Sequence, residues 1–337
     1  MINYLKILSI CFTVLIFPAS ILAQKQLSEP ISTTDIRIRD PYIYVDSKSK
    51  KYYMYAQMDN RLGGRADDSK PKGVEVYVSE DLKYWEQPTT ALLLPNEFWA
   101  RNMVWAPEMH KYKNKYYMFV TLTSSEKHEH MKKPELSDNW PPFNKRGTQI
   151  FVSDSPLGPF QPFDNKPHTP EKWMAIDGTL YVENDIPYMI FCHEWVEIVD
   201  GSMDYIQLSP DLSKSIGKPN KMFNASEAHW STSTNNNVTD GCFLYKTKSD
   251  KLIMIWSSFG DKGYAIGIAE SKSGKLQGPW IQQKDLLFKE NGGHGMLFRT
   301  FENKLMLALH QPNGPRGKER LKLFELEDTG QSLKLKE

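Results

Sequence analysis

Cysteine is scarce in this chain, charge of either sign is not in excess, and long apolar runs are nearly missing; each shortage removes a class of function. Only Cys11, Cys192 and Cys242 occur in 337 residues, and no metal-ligand or redox spacing links them. Cys192 and Cys242 read as buried free thiols, with a bridge between them the alternative. Against 42 basic residues stand 41 acidic ones, which leaves no concentrated positive field for nucleic acid. The single long apolar run covers 7–22. Lys6 precedes it, Ala19, Ser20 and Ala23 close it, and a polar stretch follows at 24–29. That pattern predicts a secretory signal at 1–23 rather than a membrane span. Ile10 is too large for the residue before a lipid-bearing cysteine, which argues against lipidation at Cys11. The expected product is residues 24–337, secreted or periplasmic, folded as one domain and monomeric.

Helical stripes are missing too. Most segments alternate in steps of two or are β-branched and aromatic, so the chain reads as sheet. Aromatic residues are plentiful: 9 Trp, 16 Tyr and 16 Phe make up 12% of the chain. Such rings pack between sheets and also stack on flat apolar ligand faces, sugars among them.

A unit recurs five times. It opens at RDPYIYVDSKSKKYYMYAQ from Arg39, VWAPEMHKYKNKYYMFVTLT from Val104, IDGTLYVENDIPYMIFCHEW from Ile176, TDGCFLYKTKSDKLIMIWSSF from Thr239 and GGHGMLFRTFENKLMLALHQP from Gly292. Each opening is a strand, a polar turn and a second strand, with further strands before the next copy. Intervals of roughly 54 to 71 residues suit four-stranded blades, so the expected fold is all-β, a five-bladed β-propeller around a central axial pocket. The fragments DLKYWEQP, SPLGPFQPF and SGKLQGPW resemble one another and are placed at the blades' outer edges. An insertion at 126–145, rich in Lys, His and Pro, reads as a surface loop and a candidate pocket wall.

First strands line a propeller's channel, so Asp40, Glu108, Asp177, Asp240 and His294 are expected to converge as a ring. Alone, each acid would read as a turn or strand cap. The returning second strands would rim the same pocket with Gln57, Thr121, Thr123, His193, Glu194, Trp195, Ser257, Ser258, His310 and Gln311. Trp105, Glu108, His193, Ser257 and His310 are the candidate substrate contacts. A floor of carboxylates under amides, hydroxyls and imidazoles suits a polyhydroxylated ligand. Cleaving a glycosidic bond needs two carboxyl groups, one of them kept protonated, and clustering raises the pKa of at least one.

The Arg-Asp-Pro at 39–41, Val-Trp-Ala-Pro-Glu at 104–108 and Ile-Asp-Gly at 176–178, in this order and rhythm, resemble glycoside hydrolase family 43 over nearly all of the mature chain. The resemblance implies an inverting glycosidase acting on carbohydrate, with Asp40 as general base, Asp177 as modulator and orienter of the acid, and Asp240 as general acid. It implies an axial calcium or sodium ion held through water by His294, for which a hydrogen-bonded core histidine is the alternative; the chemistry itself would need no cofactor. The family's acid is a Glu, usually followed by a small residue and Pro, whereas this chain has Asp240-Gly241-Cys242. Gly241 and the Asn-rich lead at 235–237 are expected to let the backbone advance, and Glu194 is the reserve acid. Gly178 also stands where Pro is common. Exo-cleavage of terminal α-L-arabinofuranose is the expected activity. β-Xylosidase, β-D-galactofuranosidase or exo-galactanase are alternatives within the family, and a propeller that binds glycans without cleaving them is the alternative outside it.

Overall fold

The computed structural model describes residues 29–58, 71–128, 138, 140–232 and 237–336. The expected leader at 1–23 lies outside them, as do 129–137 and 139 of the insertion and 235–236 of the Asn-rich lead.

Five four-stranded antiparallel sheets are arranged as a five-bladed β-propeller. Strand β1 (Ile31–Ser32) stands outside the first blade, which is built from β2 (Tyr42–Asp46), β3 (Lys51–Gln57), β4 (Gly73–Ser79) and β6 (Thr89–Leu93); β5 (Tyr84–Trp85) turns away to pair with β1. The second blade holds β7 (Met103–Tyr112), β8 (Lys115–Lys127), β9 (Asn144–Ser153) and β10 (Gln161–Pro162). The third holds β11 (Ala175–Glu183), β12 (Ile186–His193), β13 (Ser202–Leu208) and β14 (Ser215–Asn224), with a single helical turn, α1 (Trp195–Ile198), between its middle strands. The fourth holds β15 (Asp240–Lys246), β16 (Leu252–Gly260), β17 (Gly263–Ser271) and β18 (Trp280–Gln282), and the fifth β19 (Gly293–Arg299), β20 (Leu305–Gln311), β21 (Arg320–Asp328) and β22 (Leu333–Leu335). Second strands such as β3 and β16 are buried along almost their whole length. Both faces of each are covered by neighbouring blades, so their side chains are nearly all apolar rather than alternating.

Of the three edge fragments, two supply the outermost strands β10 and β18. DLKYWEQP instead supplies β5 and leads into β6. Their aromatics Trp85, Phe160 and Trp280 are all buried. Cys192 and Cys242 are buried and free.

Each blade takes its four strands from one consecutive stretch, so among the described residues no strand exchange ties the first blade to the last. An isolated antiparallel bridge between Arg37 and Arg320 and a set of side chains close the ring instead. Glu319, just before β21 and fully buried, accepts from Arg39 Nη1 at 3.2 Å and Arg37 Nε at 3.4 Å. Its carbonyl also takes the Ile38 N–H. Removing a charge from such a desolvated pair leaves its partners uncompensated, which costs more than the intact pair contributes.

One local device fixes the pocket. The pairing of first and second strands skips a residue between Trp105 and Glu108, Ile176 and Thr179, Asp240 and Phe243, and Gly293 and Met296. The residue after the first of each pair has a positive φ: Ala106 (42°), Asp177 (56°), Gly241 (53°) and His294 (51°), and Asp40 (50°) stands at the matching place before β2. Four bulges of one kind, with the matching left-handed conformation at Asp40, therefore set one residue of each blade at the same level about the axis. Left-handed backbone is tolerated by Asp and Gly but is strained for Ala and His, as is found where structure is held for function.

Candidate active site

The bulges redraw the ring that the sequence suggests. Its true members are Asp40, Ala106, Asp177, Gly241 and His294, so Glu108 and Asp240 are out of register with the other three. Asp240 stands one residue earlier, level with Arg39, Trp105, Ile176 and Gly293, and all of these but the glycine line the pocket. Glu108 stands two residues later, level with Tyr42, Thr179, Phe243 and Met296, none of which line it. Glu108 accepts from His110 Nε2 at 3.1 Å, and His110 also meets Tyr42 and Thr179. It is a buried strut beneath the floor rather than a ligand contact. Each bulge adds one residue between the tiers, and strand periodicity read from sequence does not count it.

Gly241 shares its backbone conformation with Asp177, so it makes no special advance. What glycine provides is clearance, because a Cβ there would lie 2.8 Å from the His294 ring.

The pocket is a cavity of about 220 Å³ whose lining includes Asp40, Asp177, Asp240, Glu194, Tyr264 and His294. Gln57, Trp105 and Trp195 also face it, with Arg37, Arg39 and Arg316 along one side. His193, Ser257 and His310 do not. His193 stacks on Trp173 at 4.1 Å and bonds Glu197 at 2.8 Å. Ser257 and His310 cap backbone: Ser257 Oγ accepts the His294 N–H at 2.9 Å, and His310 Nδ1 accepts the Asp40 N–H at 3.2 Å. Thr121 Oγ1 does the same for the Asp177 N–H at 2.8 Å. Each cap comes from the second strand of the preceding blade and satisfies an amide that the bulge removes from its ladder. These residues position the pocket's acids and imidazole from behind.

Two aspartates of the pocket sit in opposite surroundings. His294 Nδ1 lies 3.2 Å from Asp40 Oδ1 and 3.7 Å from Asp177 Oδ2. His310 Nδ1 lies 3.3 Å from the same Asp40 oxygen. Burial alone would raise Asp40, but His294, His310 and Arg39 outweigh it and hold the carboxyl well below the usual carboxylate range. Across the pocket, burial and the Asp177 charge push Asp240 up to about 7, although Tyr264 donates to its Oδ2 at 2.9 Å. Burial, reinforced by Asp40, pushes Asp177 up to about 6 against the pull of His294. Asp177 Oδ2 accepts the Gly241 N–H at 3.1 Å, so it is tied to the backbone next to Asp240. His294 is raised in spite of its burial by Asp40, Asp177 and Asp240, and Tyr264 is raised by burial and by Asp240, so it stays a neutral donor.

Glu194, at the end of β12, accepts from Arg146 Nη1 at 2.6 Å; burial pushes it up to about 7 despite that partner. The Arg146 guanidinium lies over the Trp105 ring at 4.9 Å. From the insertion, Trp140 meets Trp195 edge-on at 5.1 Å and donates to the Val196 carbonyl at 2.9 Å. The insertion thus backs one pocket wall.

Nδ1 of His294 is engaged with two carboxylates, and no cluster of three His, Cys, Asp or Glu able to hold a metal forms among the described residues. The donor set offers at most one imidazole nitrogen to a hydrated ion, so no step proposed below runs through one.

Arg39, Tyr264 and Arg146 are pocket or supporting residues beyond those the strand pattern predicts. Arg39 is signalled by its place in Arg-Asp-Pro. Tyr264 and Arg146 are ordinary strand residues by pattern and carry no such signal.

A pocket at the axis of a five-bladed propeller, with one carboxyl held low and another raised to about 7, has the kind of paired carboxyl groups that glycoside hydrolysis requires. The chain belongs to the glycoside hydrolases and, among them, to glycosyl hydrolases family 43, whose model matches residues 28–327. Among solved structures, an endo-arabinase from Bacteroides thetaiotaomicron is 36% identical with a TM-score of 0.74, covering 89% of this chain and 98% of that one. A thermostable family-43 glycoside hydrolase is 23% identical (TM-score 0.71, 89% and 93% covered). An α-L-arabinofuranosidase from Lactobacillus brevis is 17% identical (TM-score 0.65, 86% and 91% covered). The latter two share the fold. A search of curated proteins finds no match.

Proposed function

We propose that this glycosidase hydrolyses α-L-arabinofuranosyl linkages with inversion, removing terminal units from plant-type polysaccharide. The observation that carries the chemistry is the opposed environment of Asp40 and Asp240. Asp40, ionised, takes a proton from the attacking water. Asp240, still protonated up to about pH 7, gives its proton to the leaving oxygen. Its Oδ2 is occupied by Tyr264, which leaves Oδ1 for that proton. Asp177 raises Asp240 and shares His294 with Asp40, so the imidazole ties base and modulator together. Asp240 is preferred over Glu194 as the acid because Glu194 has one oxygen bound to a permanent cation at 2.6 Å, a contact that favours the ionised form.

The arabinan-type substrate rests on the 36% likeness to the Bacteroides enzyme. Terminal action is supported by the small cavity, below the roughly 300–1,000 Å³ of common ligand sites. Internal cleavage is a second reading, favoured by that neighbour's name. Secretion is proposed from the 1–23 leader; no helix among the described residues is long and apolar enough to cross a membrane.

The test is a panel of aryl α-L-arabinofuranoside, β-D-xyloside and β-D-galactofuranoside, followed by linear arabinan. Turnover of the arabinofuranoside, monosaccharide as the sole early product and an inverted anomer by NMR are expected. Preference for another glycoside would replace the substrate, a ladder of oligomers would establish internal cleavage, and a retained anomer would remove the water-activating role of Asp40.

A further inference from the structure

We propose that Glu194, fixed by Arg146, is a specificity-determining acceptor that binds one hydroxyl of the sugar seated in the axial pocket. Glu194 lines the pocket and is 5% exposed. Its Oε1 is bound by Arg146, and its Oε2 is buried with no protein partner. Both side chains of the pair are 6% exposed, so neither charge is relieved by bulk water. Leaving a buried carboxylate oxygen without a donor is costly, and buried polar atoms are as a rule paired. In its ionised form, which the Arg146 contact favours and which prevails above about pH 7, the carboxylate only accepts, so the missing partner there is a donor. In a pocket that takes a glycan the available donors are hydroxyls.

The support behind Glu194 is built for placement. Its N–H donates to the Met174 carbonyl at 2.8 Å, which fixes the backbone. Arg146 comes from β9, in the neighbouring blade, and its guanidinium lies over Trp105, itself a pocket residue. Two pocket walls are thereby linked through one cation, and Oε2 is held where it cannot turn away without breaking the 2.6 Å bond. A site that depends on a hydroxyl in this way discriminates strongly against sugars lacking it, because the acceptor is then left buried and empty.

This inference rests on the glycosidase reading, though not on which sugar is taken. Its test is a double cycle of enzyme and substrate. The aryl glycoside preferred in the panel is compared with its monodeoxy analogues, using the wild-type enzyme and Glu194→Gln. Wild type should lose about 10²-fold or more in kcat/KM on one analogue in particular. Glu194→Gln should lose a similar factor on the parent glycoside and almost nothing further on that analogue. Arg146→Lys, which keeps the charge but loses the fixed fork, should reproduce the pattern more weakly. Equal losses by the variant on every analogue would overturn the proposal, since no hydroxyl would then couple to Glu194. A loss seen on natural glycans and spared on the activated aryl glycoside would overturn it differently, by making Glu194 the acid. Calorimetric binding of the parent sugar and its deoxy form to Asp40→Asn gives a readout independent of turnover. If no furanoside is cleaved but a xyloside is, the same cycle runs on the xyloside series, and the substrate proposal fails alone.

Discussion

The two sides of the axial pocket hold the same kind of side chain in contrary states. On the side closed by the first and fifth blades, Asp40 is ringed by His294, His310 and Arg39. Arg39 is anchored in turn on Glu319 and on Asn313, whose Oδ1 it meets at 2.7 Å. On the side made by the third and fourth blades, Asp240 has Asp177 for company and only a neutral phenol as donor. Burial acts on both carboxyls alike and would raise each. The difference comes from what stands next to them, His294, Arg39 and the His310 ring on one side and another acid on the other. That asymmetry is what the proposed division of base and acid between two aspartates requires.

Removing either member tests the comparison most severely. Asp40→Asn should lower kcat roughly 10³-fold or more on every substrate, because no leaving group replaces an activated water. Asp240→Asn should cost a similar factor on natural glycan yet stay within about tenfold of wild type on an aryl glycoside with a good leaving group. Equal losses on both substrates would take the acid role from Asp240.

The cation side has a structural cost that the acid side lacks. Glu319→Gln would remove the buried carboxylate charge that Arg37 and Arg39 share at the junction between the first and last blades. A loss of about 3 kcal/mol in unfolding free energy is expected by denaturant titration. Lys304→Gln, which removes an exposed partner of Glu325, should change stability by well under 1 kcal/mol. Similar small effects for both variants would mean that the ring is closed by packing alone.

Sequence alone located the fold because a propeller repeats its pattern five times, and faults in one copy are covered by the others. It brought Asp40, Asp177, His294 and Asp240 to one pocket because each lies at or next to the start of a first strand. It failed one tier down. A bulge adds a residue without changing the apolar rhythm of the strand after it, so Glu108 was placed level with Asp40 although it supports His110 from below. Ser257 and His310 look like rim residues by strand position, yet their side chains reach across a blade boundary to cap an amide. Such contacts depend on how neighbouring blades are staggered, which one blade's pattern does not carry. The same holds for Arg146, whose partner Glu194 lies in another blade, while Tyr264 reaches Asp240 across two strands of one blade.

The finest test leaves both working aspartates in place and alters only what surrounds Asp240. With its pKa raised to about 7, Asp240 is in the proton-donating form below that pH and loses it as pH rises through about 7, so the alkaline limb of the pH profile belongs to it. The Asp177 charge raises that pKa, whereas the Tyr264 hydrogen bond lowers it by favouring the carboxylate. Asp177→Asn should therefore move the alkaline limb to lower pH by about one unit, and Tyr264→Phe should move it to higher pH by a smaller amount. Asp40 is already held below the ordinary range, by His294 foremost, so neither change should bring a new acid limb into the pH 5–8 region. Opposite displacements require that the limb report a single group touched by both residues, and Asp240 is the carboxyl that Tyr264 bonds. Shifts of the same sign would place the limb on another group, with Glu194, also raised to about 7, the first to examine through the limb of Glu194→Gln.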